Sequence, residues 1–257
     1  MGKIIAISNQ KGGVGKTTTS VNLAASLAAA HRRVLLIDLD PQGNAAMGCG
    51  LDKEAVDYSS YELLMGSVPA VNIAVNLDEL GFSVIAGNSD LTRAEVELMS
   101  VSHREQRLSG ALLPVRQAYD YILIDCPPSL NMLTVNAMVA ADSVLIPMQC
   151  EYYALEGLSA LMATIKGIQN SVNPGLHLEG ILRTMIDSRS RLGKDVSDQL
   201  VEYFGDKVFR TCVPRNVRLA EAPSHGLPVL LYDRASRGAL AYLALAGEMI
   251  RKEHKTS

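Results

Sequence analysis

Tryptophan is absent from this chain of 257 residues, and aromatic residues make up only 5% of it. That scarcity weighs against a β-sandwich, whose core is usually anchored on aromatics. Cysteine is sparse as well: Cys49, Cys126, Cys150 and Cys212, none in a C-x-x-C pair. Zinc-ribbon and thioredoxin-like chemistry therefore lack their spacing, and the thiols read as reduced and mostly buried. The five histidines are scattered, with no H-E-x-x-H, and there is no G-x-S-x-G elbow for a serine hydrolase. No apolar stretch reaches the ~18 residues of a membrane span. The start, Met1-Gly2-Lys3-Ile4-Ile5, lacks a signal-peptide core, and Ala6 stands where a myristoylation motif needs Ser or Thr. The expected setting is the cytoplasm, with no membrane partner.

What the chain does contain is ordinary globular material, 48% hydrophobic and 20% charged. Short apolar runs alternate with helical patterns. Strands are expected at Lys3–Ser8, Val34–Asp38, Phe82–Ala86, Tyr121–Asp125, Ser143–Met148, Gly180–Met185 and Val208–Val213. Several are continuous Val/Ile/Leu runs, the pattern of strands buried on both faces. Helices are expected at Lys16–Ala30, Leu130–Ala140, Ala154–Gln169, Asp195–Phe204 and Gly238–Lys252. The alternation predicts an α/β fold, a single doubly wound, mostly parallel sheet flanked by helices. No linker or repeat divides the chain, so residues 1–257 are read as one domain. Residues 48–80 read as surface loops and short helices, and the polar tail Arg251–Ser257 as frayed.

The strongest local signal is Ser8-Asn9-Gln10-Lys11-Gly12-Gly13-Val14-Gly15-Lys16-Thr17-Thr18. It follows an expected strand and opens an expected helix, as a phosphate-binding loop must. Glycines let the backbone turn so that several N–H groups converge, and the helix start adds partial positive charge. Residues Lys11 to Thr18 are thus the candidate ATP cradle. Lys16 is placed to reach the β- and γ-phosphates, and the Thr17 hydroxyl to ligate Mg²⁺. Gln10 stands where the usual first glycine would be, and Lys11 adds a second ammonium that would offset charge in phosphoryl transfer.

Two further runs end in acids. Val34-Leu35-Leu36-Ile37-Asp38-Leu39-Asp40 places Asp38 and Asp40 on one side of a strand end. Ligands of open α/β sheets bind beyond the carboxyl ends of strands. Asp38 has two readings, support for the metal's water shell or capping of the next helix. Tyr121-Ile122-Leu123-Ile124-Asp125 is a second apolar run ending in Asp, with Asp125 expected to hold Mg²⁺ through water.

The K-G-G-x-G-K-[ST] form resembles the deviant Walker A motif of the MinD/ParA family. Likeness to the ParA/Soj ATPases extends over nearly the whole chain. It runs through Asp38–Asn44, Ala94–Leu98, Asp125–Ser129, Leu133–Ala137, Ala154–Leu158 and Val213–Pro228, and then Tyr232-Asp233 and Ser236–Ala239. The resemblance implies an ATPase that forms a homodimer around two ATP·Mg²⁺. It implies that Lys11 reaches across to the partner's ATP, that Asp40 orients the attacking water, and that Pro214 and Asn216 lie near the adenine. Catalysis would then rest on Lys11, Lys16 and Asp40. Two departures stand out: Met47-Gly48-Cys49-Gly50 replaces a T-S-G-L run, and Arg183 occupies a commonly apolar position near the adenine side.

Between Arg183 and Arg218, eight basic residues face five acidic ones, in a chain of net charge −3. Composition alone permits a polyanion face or a solvated charge mixture. The resemblance implies the former: Arg189, Arg215 and Arg218 on a face for non-specific double-stranded DNA. It also implies a ParB/Spo0J-like partner that stimulates hydrolysis, nucleoid association, and a role in chromosome or plasmid partition. No helix-turn-helix segment stands ahead of Met1, so operator reading is not expected. The alternatives are a MinD-like or protein-cargo positioning ATPase and a nucleotide-dependent adaptor without meaningful hydrolysis. The segment Glu248–Lys255 has too few apolar residues for a MinD-type membrane helix. Iron–sulfur scaffolds of the Mrp type show a C-x-x-C pair, which is absent here.

Overall fold

The computed structural model describes residues 2–256. Eight strands form one sheet: β1 (Lys3–Ile7), β2 (Val34–Asp38), β3 (Val75–Leu77), β4 (Phe82–Ile85), β5 (Tyr121–Asp125), β6 (Ser143–Gln149), β7 (His177–Ile186) and β8 (Val208–Pro214). Their order across the sheet is β3-β4-β2-β5-β1-β6-β7-β8. Every pairing is parallel except β3 with β4. The α/β, doubly wound, mostly parallel sheet flanked by helices read from the sequence is the fold observed. The direction of winding reverses beside β1, and such a switch point opens a crevice for ligand at the strands' carboxyl ends.

The helices are α1 (Lys16–Ala29), α2 (Asn44–Met47), α3 (Ser60–Met65), α4 (Ala70–Ile73), α5 (Asp90–Leu98), α6 (Arg107–Leu112), α7 (Met132–Ala140), α8 (Ala154–Ser171), α9 (Arg191–Phe204), α10 (Val217–Glu221), α11 (Val229–Tyr232) and α12 (Arg237–Thr256). Two cores follow from the period of two along each strand. Ile5 and Ile7 of β1 pack with Leu23 and Leu27 of α1 and Tyr242 and Leu245 of α12. Ile4 and Ala6 face the other way, toward Leu133 of α7, Leu158 of α8 and Val196 of α9. Continuous apolar strands are what a sheet covered on both sides requires.

The structure differs from the sequence reading at several edges. Strand β3 was not anticipated; three residues are too few to show a period. Helix α9 begins at Arg191 rather than Asp195, because the Ser190 side chain accepts from Gly193 N and caps it earlier. Residues 48–80 hold the expected short helices, α3 and α4, but these are not only at the surface: Leu63, Leu64 and Ile73 are buried, and Ser60 Oγ donates to the Asp38 carbonyl at 2.6 Å. The tail expected to fray is helical to Thr256, and Ser257 lies outside the described residues.

Candidate functional site

Strand β1 ends at the switch point and hands the chain to residues 8–15. Three contacts hold this loop before any ligand arrives. Asn9 is buried; its Nδ2 donates to the Pro147 carbonyl at 2.8 Å and its Oδ1 accepts from Lys11 N at 3.0 Å. Thr184 Oγ1 of β7 donates to the Val14 carbonyl at 2.7 Å. Gly13 and Gly15 have φ of 73° and 89°, the left-handed region where a side chain is strained. Gly15 then starts α1, so the helix N-terminus points into the loop.

A cavity of about 360 Å³ opens at this point, its wall including Gly12, Gly13, Lys16, Thr17, Asp40 and Met185. Gly15 and Thr18 also line it. Lys16 is 7% exposed, and its Nζ donates to the Lys11 carbonyl at 3.2 Å. Burial pushes its pKa below the ordinary lysine value, with Asp125 the largest opposing influence. Asp125 lies fully buried beneath Thr17. Its Oδ2 accepts from Thr17 Oγ1 and its Oδ1 from Ser20 Oγ, both at 2.7 Å. Burial raises the Asp125 pKa, and these two hydroxyls pull it back toward ionisation.

Asp38 lies directly opposite Asp125 in the β2–β5 register and is also fully buried. Its Oδ2 accepts from Ala45 N (2.8 Å) and Ala46 N (3.0 Å), and its Oδ1 from Asp40 N (3.1 Å). Oδ2 therefore serves two amides of α2, and Oδ1 serves the turn that leaves β2. The two α2 amides are what the capping reading of Asp38 expects, and its place opposite Asp125 keeps it beside the metal position that the other reading expects. Burial, with the neighbouring Asp125 charge, pushes its pKa up. Asp40 is half-buried and faces the cavity, with Oδ1 accepting from Gln42 N at 2.9 Å.

Other expected residues lie apart. Lys11 is half-exposed on the outer side of the loop, where its Nζ forms an ion pair with Glu151 just beyond β6. Val14 is buried behind the loop. Pro214 ends β8, and Asn216 caps α10 by accepting from Arg218 N at 3.0 Å. Neither lines the phosphate-loop cavity. Arg189 is 88% exposed and paired with Asp187, and Arg218 is paired with both Glu221 and Asp233. Arg215 is exposed and forms no ion pair with a carboxylate among the described residues.

Three residues of this arrangement were not singled out from sequence. Ser20 lies one helical turn after Thr17, a spacing that puts both hydroxyls on one face of α1. Thr184 and Glu151 are 170 and 140 residues from the groups they hold. No local pattern announces them. The donor set of Thr17 and Asp125, all oxygen, suits a magnesium ion. Among the described residues no cluster of three or more His, Cys, Asp or Glu side chains offers a different metal site.

The family described as AAA domain matches residues 2–178. The chain is 55% identical to the sporulation initiation inhibitor protein Soj of Bacillus subtilis, over 97% of this chain and 98% of that protein. It is 53% identical to the chromosome partitioning protein ParA of Myxococcus xanthus, over 98% of this chain and 89% of that one. Among solved structures it resembles the cobyrinic acid a,c-diamide synthase of Mycobacterium smegmatis with bound ATP analogue and magnesium. That match has a TM-score of 0.87 at 35% identity, over 100% of this chain and 98% of the other.

Proposed function

The chain belongs to the ParA/Soj family of chromosome-partitioning ATPases, and on that footing we propose that it is a nucleotide-switched clamp on DNA. ATP binds in the phosphate loop. Two copies close over their nucleotides, the closed dimer holds DNA without regard to sequence, and hydrolysis releases it. A ParB-like, centromere-binding protein stimulates the release, and the protein works on the nucleoid in the cytoplasm. The observation that carries this reading is the split between the two loop lysines. Lys16 points into its own cavity, whereas Lys11 stands outside it, tied to Glu151, with no place on its own phosphate wall.

The roles follow from position. Backbone N–H groups of Gly12–Thr18 and the start of α1 receive the phosphates, and Lys16 supplies the counter-charge from a buried position. Magnesium would be held by Thr17 Oγ1 and, through water, by Asp125, and would supply positive charge to offset that of the β- and γ-phosphates. Asp40 reaches the same cavity with one oxygen committed to Gln42 N. The other is available to orient water for attack on the γ-phosphorus, and no covalent intermediate is needed. Lys11 leaves Glu151 and completes the neighbouring copy's site. Pro214 and Asn216 are placed near the adenine by family likeness alone.

A membrane-positioning role of the MinD type is not favoured. Helix α12 buries Tyr242, Leu245 and Met249 in the core, so its apolar side already has a partner. Among the described residues no helix is long and apolar enough to cross a membrane. The deciding experiment is ATP turnover with and without duplex DNA and a ParB-like protein. Turnover that both additions raise is expected. Binding of ATP with no turnover under any of these conditions would make the protein an adaptor instead.

A further inference from the structure

The carboxyl ends of β6, β7 and β8 border a second cavity of about 570 Å³, on the face of the sheet covered by α8 and α9. Helix α1 covers the opposite face. Among the described residues the two cavities share Met185 alone, which stands between them with a left-handed φ of 51°.

The charges around this second cavity do not balance. Its two carboxylates are already engaged, Glu151 with Lys11 and Asp187 with Arg189. Of its three cations, Arg183 and Lys194 form no ion pair with a carboxylate among the described residues, whereas the charge of Arg215 acts on Asp187. Arg183 is the deepest of them. Its Nη1 donates to Ser197 Oγ and its Nη2 to the Phe209 carbonyl, both at 2.8 Å, and its buried Nε has no partner. Neutral acceptors fix the guanidinium without cancelling its charge. A part-buried cation of this kind favours an anion nearby more strongly than a surface charge does.

We propose that this cavity is a second anion site, separate from the phosphate loop, which takes the phosphate group of a small molecule. Arg183 provides the field from the back wall and the exposed side chain of Lys194 provides the contact, while Arg215 at the cavity's edge belongs to the DNA face. The volume suits a small metabolite. Each charge-assisted hydrogen bond to a phosphate is strong enough that losing one weakens binding about tenfold.

The test is a calorimetric titration of inorganic phosphate into protein whose phosphate loop is already filled with ADP·Mg²⁺. Filling of the loop is verified separately, so a failure of this site and a failure of the ATPase reading are distinguishable. One equivalent of phosphate is expected to bind. Lys194→Glu, on an exposed helical position, should weaken it at least about tenfold. Arg183→Leu should do the same, and slower alkylation of Cys212, which lines the cavity, should accompany binding in the unmodified protein. No binding at millimolar phosphate, or equal affinity in all three proteins, overturns the proposal. Displacement of the bound phosphate by short duplex DNA also overturns it, because the cavity would then be part of the DNA face.

Discussion

Replacing Lys16 by Met removes the ammonium but keeps most of the side chain's volume and reach. The structure makes two predictions of opposite sign for this change. Lys16 is 7% exposed and donates only to the Lys11 carbonyl among the described residues. A buried charge so poorly compensated destabilises the fold, so Lys16→Met should melt at the same temperature as the parent or higher. Burial holds the folded-state pKa below the ordinary lysine value of 10.5. The unfolded chain therefore binds the extra proton in that window, and stability of the parent rises as pH climbs toward 10.5. The thermal advantage of Lys16→Met should shrink over the same range. ATP binding should move the other way. A unit charge about 4 Å from a phosphate oxygen, at an effective dielectric near 20, contributes about 4 kcal/mol. That is about a thousandfold in Kd. Calorimetry with a non-hydrolysable ATP analogue gives the affinity, and thermal melts between neutral pH and pH 10 give the stability. An affinity within about tenfold of the parent would refute the counter-charge role. A clearly lower melting temperature without nucleotide would refute the desolvation argument.

Asp40→Ala should bind ATP normally and stall before hydrolysis, accumulating as a dimer; light scattering with ATP checks it, and a monomer at high concentration would count against the water-orienting role. Gly12→Val should leave the monomer's fold and nucleotide binding intact, since a Cβ built there meets nothing within 4 Å. The same variant should fail to dimerise with ATP, and normal dimer formation by sizing would take Gly12 out of the interface. DNA binding should require ATP and weaken as salt rises, because phosphate contacts release counterions. Arg215→Ala should lose more affinity than Arg218→Ala, whose parent charge is shared with Glu221 and Asp233. A titration at two salt concentrations in which Arg218→Ala is the weaker binder would reverse that ranking.

The sequence by itself determined the sheet and most of the phosphate site, because those features are local. Runs of four apolar residues ending in Asp, such as Val34–Asp38 and Tyr121–Asp125, declare strands covered on both faces. Glycines at 13 and 15 declare a left-handed turn, and the spacing from Lys16 to Thr17 is fixed by the helix they open. What lies far apart in the chain was decided only by the fold. Asp38 and Asp40 look equivalent at a strand end, yet the turn into α2 directs three amides onto Asp38 and leaves Asp40 at the cavity. Lys11 and Lys16 are both loop lysines, and only the arrival of Glu151 from beyond β6 separates their directions. Arg189, Arg215 and Arg218 share one charge in the sequence. Their different freedom depends on whether Asp187, Glu221 or Asp233 lies within reach. Local pattern sets backbone geometry within a turn or a strand, whereas the charge a side chain presents is set by partners that only tertiary packing brings near.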